Sequence, residues 1–181
     1  MITASAKKGS RFRVNAFCEA RQSVIHGKGI FSTRPIRKGV KIIEYLGERI
    51  DKEESNRRGL ELFEKSQKTG GASVYIFDVN DEWDLDGDKP YNHARLINHS
   101  CEPNCEMVNE DDRLFLYALK DIKKGEELSF DYAYDMEHYK DHLCRCGTPS
   151  CVGYIVNSAQ RKKLKRMLAR KKKSRKVYSK K

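Results

Sequence analysis

The chain has 181 residues, enough for one domain with its own core and a short extension. With 37 Lys and Arg against 26 Asp and Glu it carries +11. Yet 161–181 holds 13 of the basic residues and none of the acidic ones, leaving 24 against 26, or −2, in the first 160 positions. No apolar run approaches the ~18 residues of a membrane span, and 1–9 has no apolar leader segment, which argues against membrane and exported disulfide-scaffold classes and predicts reduced thiols.

Five short runs rich in Ile, Val, Phe, Leu and Tyr predict strands at 12–16, 41–46, 74–79, 114–119 and 128–132. Glycine-bearing turns separate them: His26-Gly27-Lys28-Gly29, Arg37-Lys38-Gly39, Gly70-Gly71 and Lys123-Lys124-Gly125, where φ is expected to turn positive. One helix is predicted in between. Asp51 caps it with Glu54 three residues on, Leu60 and Phe63 give a weak apolar face, and Gly70-Gly71 ends it. Pro35-Ile36-Arg37-Lys38-Gly39 and Asp121-Ile122-Lys123-Lys124-Gly125 resemble each other and read as two similar turns of one sheet system. Beyond Tyr154, Leu164, Met167 and Leu168 have helical spacing, but the surrounding like charges favour a solvated tail over a free-standing helix. The expected fold class is mostly β with short helices.

The acidic stretch 78–88 does not suit calcium. Its glycine is misplaced for an EF-hand, and Arg95 stands where a bidentate Glu belongs. It reads equally as a solvated loop or as an acidic rim that attracts a basic peptide. Cys144, Cys146 and Cys151 lie on one short loop and can converge on a metal, leaving a tetrahedral ion one ligand short. Cys105 and His142 are candidates for that fourth position, and Cys18 reads as a buried apolar residue.

Asn98-His99-Ser100-Cys101-Glu102-Pro103-Asn104 alone passes for a glycosylation sequon or an ordinary surface loop. Its company is more specific. Upstream lies His26-Gly27-Lys28-Gly29-Ile30-Phe31. Downstream come Glu127-Leu128-Ser129-Phe130-Asp131-Tyr132 and Cys144-Arg145-Cys146 followed by Cys151. In this order the four segments resemble the SET-domain protein-lysine N-methyltransferases with their post-SET cysteine motif, over roughly 11–153. The resemblance implies a β-clip fold of small sheets with a pseudoknot. It divides the chain into a catalytic domain at 11–135 with a helical insert at 51–70, a zinc-binding post-SET segment at 140–156, and a basic tail at 157–181.

The resemblance also implies the chemistry and its residues. A methyl group would pass from S-adenosyl-L-methionine to the ε-amine of a lysine in a protein. Tyr132 takes the place of the catalytic tyrosine, Tyr75 that of a channel-lining tyrosine, and Phe130 that of the residue that tunes how many methyls fit. Lys28, Gly29, Ile30, Asn98, His99 and Tyr132 would bind the cofactor, and Cys101 would join Cys144, Cys146 and Cys151 around Zn2+. The physics suits such a site. A lysine of pKa ~10.4 must lose its proton to react, and a narrow apolar channel beside a sulfonium disfavours the charged amine. Orientation then supplies much of the rate. The implied substrate is a histone or another lysine-rich chromosomal protein, with di- or trimethyl-lysine as the end product. DNA or nucleosome contact through 161–181 is the expected second partner, and no membrane is involved. Nuclear chromatin is the expected compartment, with a bacterial cytoplasm or delivery into a host cell as alternatives. The rival reading is a chromatin or nucleic-acid binding protein with a vestigial SET core.

Overall fold

In the computed structural model of the chain, residues 11–69 and 75–178 are described. Four small sheets build the body. The first is an antiparallel meander of β1 (Phe12–Arg13), β2 (Cys18–Gln22) and β3 (Lys28–Ser32). The second places β10 (Arg113–Ala118) between β4 (Lys41–Tyr45) and β9 (Cys105–Glu110). In the third, β7 (Trp83–Asp86) separates β5 (Glu48–Asp51) from β6 (Ile76–Asp78). The fourth is a two-residue parallel seam between β8 (Asn98–His99) and β11 (Ser129–Phe130). Ile30, Ile36, Ile97, Leu116, Ile122 and Leu128 fill the core where the sheets meet.

Each predicted strand has a counterpart, shortened at 12–16, 74–79 and 128–132; Val74 and Gly70-Gly71 lie outside the described residues. The look-alike turns meet. Ile36 and Ile122 pair backbone to backbone, the Lys38 N–H donates to Asp121 Oδ1 at 2.9 Å, and Gly39 and Gly125 hold nearly equal φ of 81° and 83°. β9 was not evident in the sequence because its run Cys-Glu-Met-Val-Asn-Glu is largely polar. Its hairpin with β10 turns on Asp111-Asp112, both at positive φ, in a two-residue connection.

Two helices frame the sheets. α1 (Lys52–Thr69) starts as predicted, with Asp51 Oδ1 accepting the Glu54 N–H at 2.8 Å. Its seating is more ionic than apolar. Leu60 is exposed, and the helix is held to the third sheet by Arg58 to Asp86 and Lys52 to Asp84, at 2.5 and 2.6 Å. This corrects the solvated-loop reading of 78–88: residues 83–86 are a strand, and Asp84 and Asp86 are buried and neutralised by α1.

The larger correction is α2 (Ser158–Tyr178), a helix of 21 residues where a solvated tail was expected. Charge repulsion along it is outweighed by a seat that composition cannot reveal. Leu164 is fully buried against Tyr139 and Val156, with Met167 and Leu168 packed alongside. Asn157 Oδ1 caps the helix by accepting the Gln160 N–H at 3.0 Å. The basic segment therefore begins as part of the folded body.

Candidate active site and thiol cluster

A cavity of about 400 Å3 opens between the β8–β11 seam and the third sheet. That size falls within the ordinary range for small-ligand pockets. Tyr75, Phe130, Tyr132, Tyr134 and Tyr45 form its aromatic wall; His26, Gly27, Lys28 and Asn98 form its polar end. Of the residues singled out from the sequence, Lys28, Asn98, Tyr75, Phe130 and Tyr132 thus meet in one place. Gly29, Ile30 and His99 stand behind the wall instead. Ile30 is buried in β3, its carbonyl accepting the Leu128 N–H at 2.8 Å.

The polar end is braced from beneath. Asn98 Nδ2 donates to the carbonyls of His26 and Lys28, both at 3.2 Å, and to Glu127 Oε1 at 2.8 Å. Ser23 Oγ also donates to that carboxylate. Gly29 fits here through space rather than through φ: a Cβ would lie 2.2 Å from Glu127 Oε1. One glycine turn thereby places two backbone carbonyls beside an amide side chain at the cavity edge.

At the aromatic wall, burial drives the Tyr132 pKa upward, so the phenol keeps its proton. That proton goes to the Ile97 carbonyl at 2.9 Å, which leaves the oxygen lone pairs available to the cavity. Tyr45 is likewise held protonated by burial and donates to the Tyr75 carbonyl at 2.9 Å, fixing the backbone where Tyr75 enters the wall. The Phe130 and Tyr132 rings lie 4.9 Å apart, and Tyr134 continues the row 5.6 Å from Tyr132. Tyr45 and Tyr134 were not singled out from the sequence. For Tyr134 a signal existed, since it follows Tyr132 by two; for Tyr45 none did.

Behind the wall, the Tyr132 backbone N–H donates to His99 Nδ1 at 3.2 Å. Burial lowers the His99 pKa, so the ring is neutral. With Nδ1 accepting, the ring proton resides on Nε2, 3.5 Å from Cys101 Sγ. Asn104 ties the same loop to β11: its Oδ1 accepts the Ser129 N–H and its Nδ2 donates to the Glu127 carbonyl, at 2.9 and 2.8 Å.

The sulfurs of Cys101, Cys144, Cys146 and Cys151 all lie within 4.8 Å of one another, with Cys101 and Cys144 3.9 Å apart. A tetrahedron with metal–sulfur bonds of ~2.3 Å has edges of ~3.8 Å. Cys105 is buried at the start of β9 and His142 packs on Tyr134, so neither belongs to the cluster. Burial, and then the charge of Cys146 and Cys151, push the Cys101 thiol up to about 12. Burial also opposes ionisation of Cys146, but hydrogen bonds from Thr148 and the Cys101 backbone outweigh it and bring that thiol down to about 6. A cation among the four would relieve their mutual repulsion, and the donor set suits a soft divalent metal.

Arg161, in the first turn of α2, joins this region to the seam. Its Nε donates to the Val156 carbonyl at 2.9 Å and its Nη1 to the Cys101 carbonyl at 2.5 Å; Nη2 pairs with the Asp131 carboxylate.

These features have relatives. The SET domain family model matches residues 27–133, more than half of the chain. The chain is 39% identical over 141 residues to a histone-lysine N-methyltransferase of Candida albicans described as H3 lysine-4 specific. It is 38% identical over 135 residues to the histone-lysine N-methyltransferase trr of Drosophila melanogaster. A mouse histone-lysine N-methyltransferase described as H3 lysine-36 specific is 35% identical over 141 residues. These alignments cover 74%, 72% and 76% of this chain but 13%, 5% and 5% of the relatives. Small sheets around an aromatic-walled cavity, with a C-terminal thiol cluster beside it, define the class. The chain belongs to the SET-domain family.

Proposed function

We propose that the chain is a protein-lysine methyltransferase that transfers methyl groups from S-adenosyl-L-methionine to the ε-amine of a histone lysine. The observation that carries this reading is the cavity itself: a polar end at Lys28 and Asn98 runs into an aromatic wall at Tyr75, Phe130 and Tyr132. The polar end suits an amino-acid moiety and the wall suits an alkylamine chain. S-adenosylmethionine brings an electrophilic methyl on a sulfonium. The amine nitrogen forms a bond to that carbon as the carbon–sulfur bond breaks, and its proton goes to solvent. Apolar walls disfavour the ammonium form of the incoming lysine. Tyr132, protonated by burial, is not the base; its lone pairs accept from the amine N–H groups and aim the nitrogen. Lys28 contributes backbone, Gly29 and Ile30 support it from behind the wall, and His99 acts through Tyr132.

Two of the relatives named above are described as specific for different lysines of histone H3, lysine 4 and lysine 36. In this reading 11–135 is the catalytic domain, and 140–156 binds zinc through Cys144, Cys146 and Cys151 together with Cys101 of that domain. A structural zinc contributes folding free energy directly, so Cys146→Ser should lower both bound zinc, from one per chain, and turnover. The basic tail, 157–181, offers a nucleosome contact. Lys162, Lys163, Lys165, Arg166 and Lys171 are exposed, and among the described residues none of the five forms an ion pair. Such a helix binds phosphate backbones in a salt-dependent manner without reading sequence. Both roles point to chromatin as the working location.

The test is incubation with labelled S-adenosylmethionine and core histones. Label on histone lysines, lost in Tyr132→Phe, is expected. No transfer by the zinc-loaded protein, together with tight DNA binding, would favour a chromatin-binding module with an inactive core.

A further inference from the structure

We propose that Arg161 is a positioning residue of the methyl-transfer site: from α2 it holds the Asp131 carboxylate that sets the backbone around Tyr132. The inference rests on the function proposed above.

Asp131 lies between Phe130 and Tyr132, and both of its oxygens are committed. Oδ1 accepts the Ala133 N–H at 3.1 Å and lies 3.6 Å from His99 Nδ1. Oδ2 accepts the Ser158 N–H at 3.1 Å and pairs with Arg161. The pair is largely out of water, the two side chains being 20% and 11% exposed, so solvent screens it little.

What the carboxylate holds is strained. Ala133 has φ of 55°, in the left-handed region that a Cβ disfavours. The hydrogen bond from its N–H to Asp131 supports that conformation, an Asx-type turn. Tyr134, the next residue, lies in the same aromatic wall as Tyr132. Without the guanidinium, Asp131 is free to leave the turn for water. Ala133 can then relax, and the Tyr132 ring and its N–H to His99 shift with it. Arg161 fixes the other side of the site as well, since it grips the carbonyl of Cys101, whose sulfur faces His99. One planar fork thus joins the thiol cluster, the turn after Tyr132 and the start of α2. A lysine has the charge but not the fork.

The experiment compares Arg161→Lys, Arg161→Ala and Asp131→Asn, each alone and combined with Ala133→Gly, in the full zinc-loaded chain. Methylation of a histone H3 tail peptide is followed together with bound zinc, Tm and the Ala133 carbon chemical shifts. Arg161→Lys should keep its zinc and lose kcat on the order of tenfold or more, the scale expected of sub-ångström misplacement. KM for the peptide should change little. The Ala133 shifts should move away from left-handed values. Ala133→Gly, which removes the penalty on positive φ, should restore much of that kcat; loss of helix docking alone would not respond to a glycine at 133. Should Arg161→Ala fail to fold, Arg161→Lys and Asp131→Asn decide the matter. Wild-type kcat in Arg161→Lys, or a loss untouched by Ala133→Gly, overturns the inference and leaves the proposed function standing. No transfer by the wild-type chain overturns both.

Discussion

Tyr132 gives its proton to the Ile97 carbonyl, so its place in the wall is fixed before any substrate arrives. Removing that hydroxyl in Tyr132→Phe should slow every methyl addition by about 100-fold, as loss of orientation does. Phe130 is different. Its ring lies tilted beside that of Tyr132, 4.9 Å away, and carries no hydroxyl; in the proposed function it would leave room for an amine that already carries a methyl. We expect wild-type product to reach di- or trimethyl-lysine and Phe130→Tyr to stall earlier with its first transfer intact; time-resolved mass spectrometry of the peptide checks this. A subtler dependence lies at Gly87, where a Cβ would fall 2.2 Å from the Tyr45 ring. Gly87→Ala should displace Tyr45 from the Tyr75 carbonyl, costing about 1–3 kcal/mol by overpacking. Both a lower Tm and weaker peptide turnover should follow. Residues whose role is carried by neighbours in sequence, such as Asn98, Phe130 and Tyr132, could be picked out from the sequence. Tyr45 and Gly87 could not, because their partnership exists only after 41 intervening residues have folded.

At the level of elements, α1 rests on ion pairs, which makes it sensitive to acid. Hydrogen bonds from Arg58 and Lys89 hold the Glu48 carboxyl down at about 2, and those from Arg57 and Arg58 do the same for Glu54. A depressed carboxylate stabilises the fold fully above its ordinary pKa of 4.5 and ceases to do so as pH falls toward 2. Tm should therefore drop across that window, and drop less steeply in a Glu48→Gln, Glu54→Gln double variant. High salt should mimic the substitution, since these groups are exposed. The strands explain what sequence could disclose. The apolar runs of β4 and β10 announce themselves, whereas β8 and β11 are two residues each and exist only by pairing with one another. The thiol cluster was visible as spacing for three members; Cys101 needed a resemblance, because 42 residues separate it from Cys144.

Taken whole, the molecule places its positive charge and a brace of the proposed active site on the same segment, α2. Removing 158–181 should weaken DNA binding and flatten its salt dependence, by ~0.9 in logarithmic slope for each phosphate no longer neutralised. It should also depress turnover on a short peptide, because Leu164 and Arg161 leave with it. A truncated chain with full peptide activity would instead return 158–181 to the role of a detachable tail. Composition misread that segment for a physical reason: a run of like charges looks the same whether it is solvated or seated, and the seat is built from Tyr139, Val156 and Asp131 elsewhere. The borrowed cap at Asp131 also bears on how the chain acquires its structure. No acidic residue occurs after Asp141, so α2 has no negative charge of its own to offset its N-terminal dipole. The cap, the counter-ion and the apolar seat all precede it in chain order. As a polypeptide emerges from the ribosome N-terminus first, α2 can consolidate only on a scaffold already made. An isolated 158–178 peptide should be mostly unhelical by circular dichroism, and in the intact protein its amides should be among the first to exchange with deuterium.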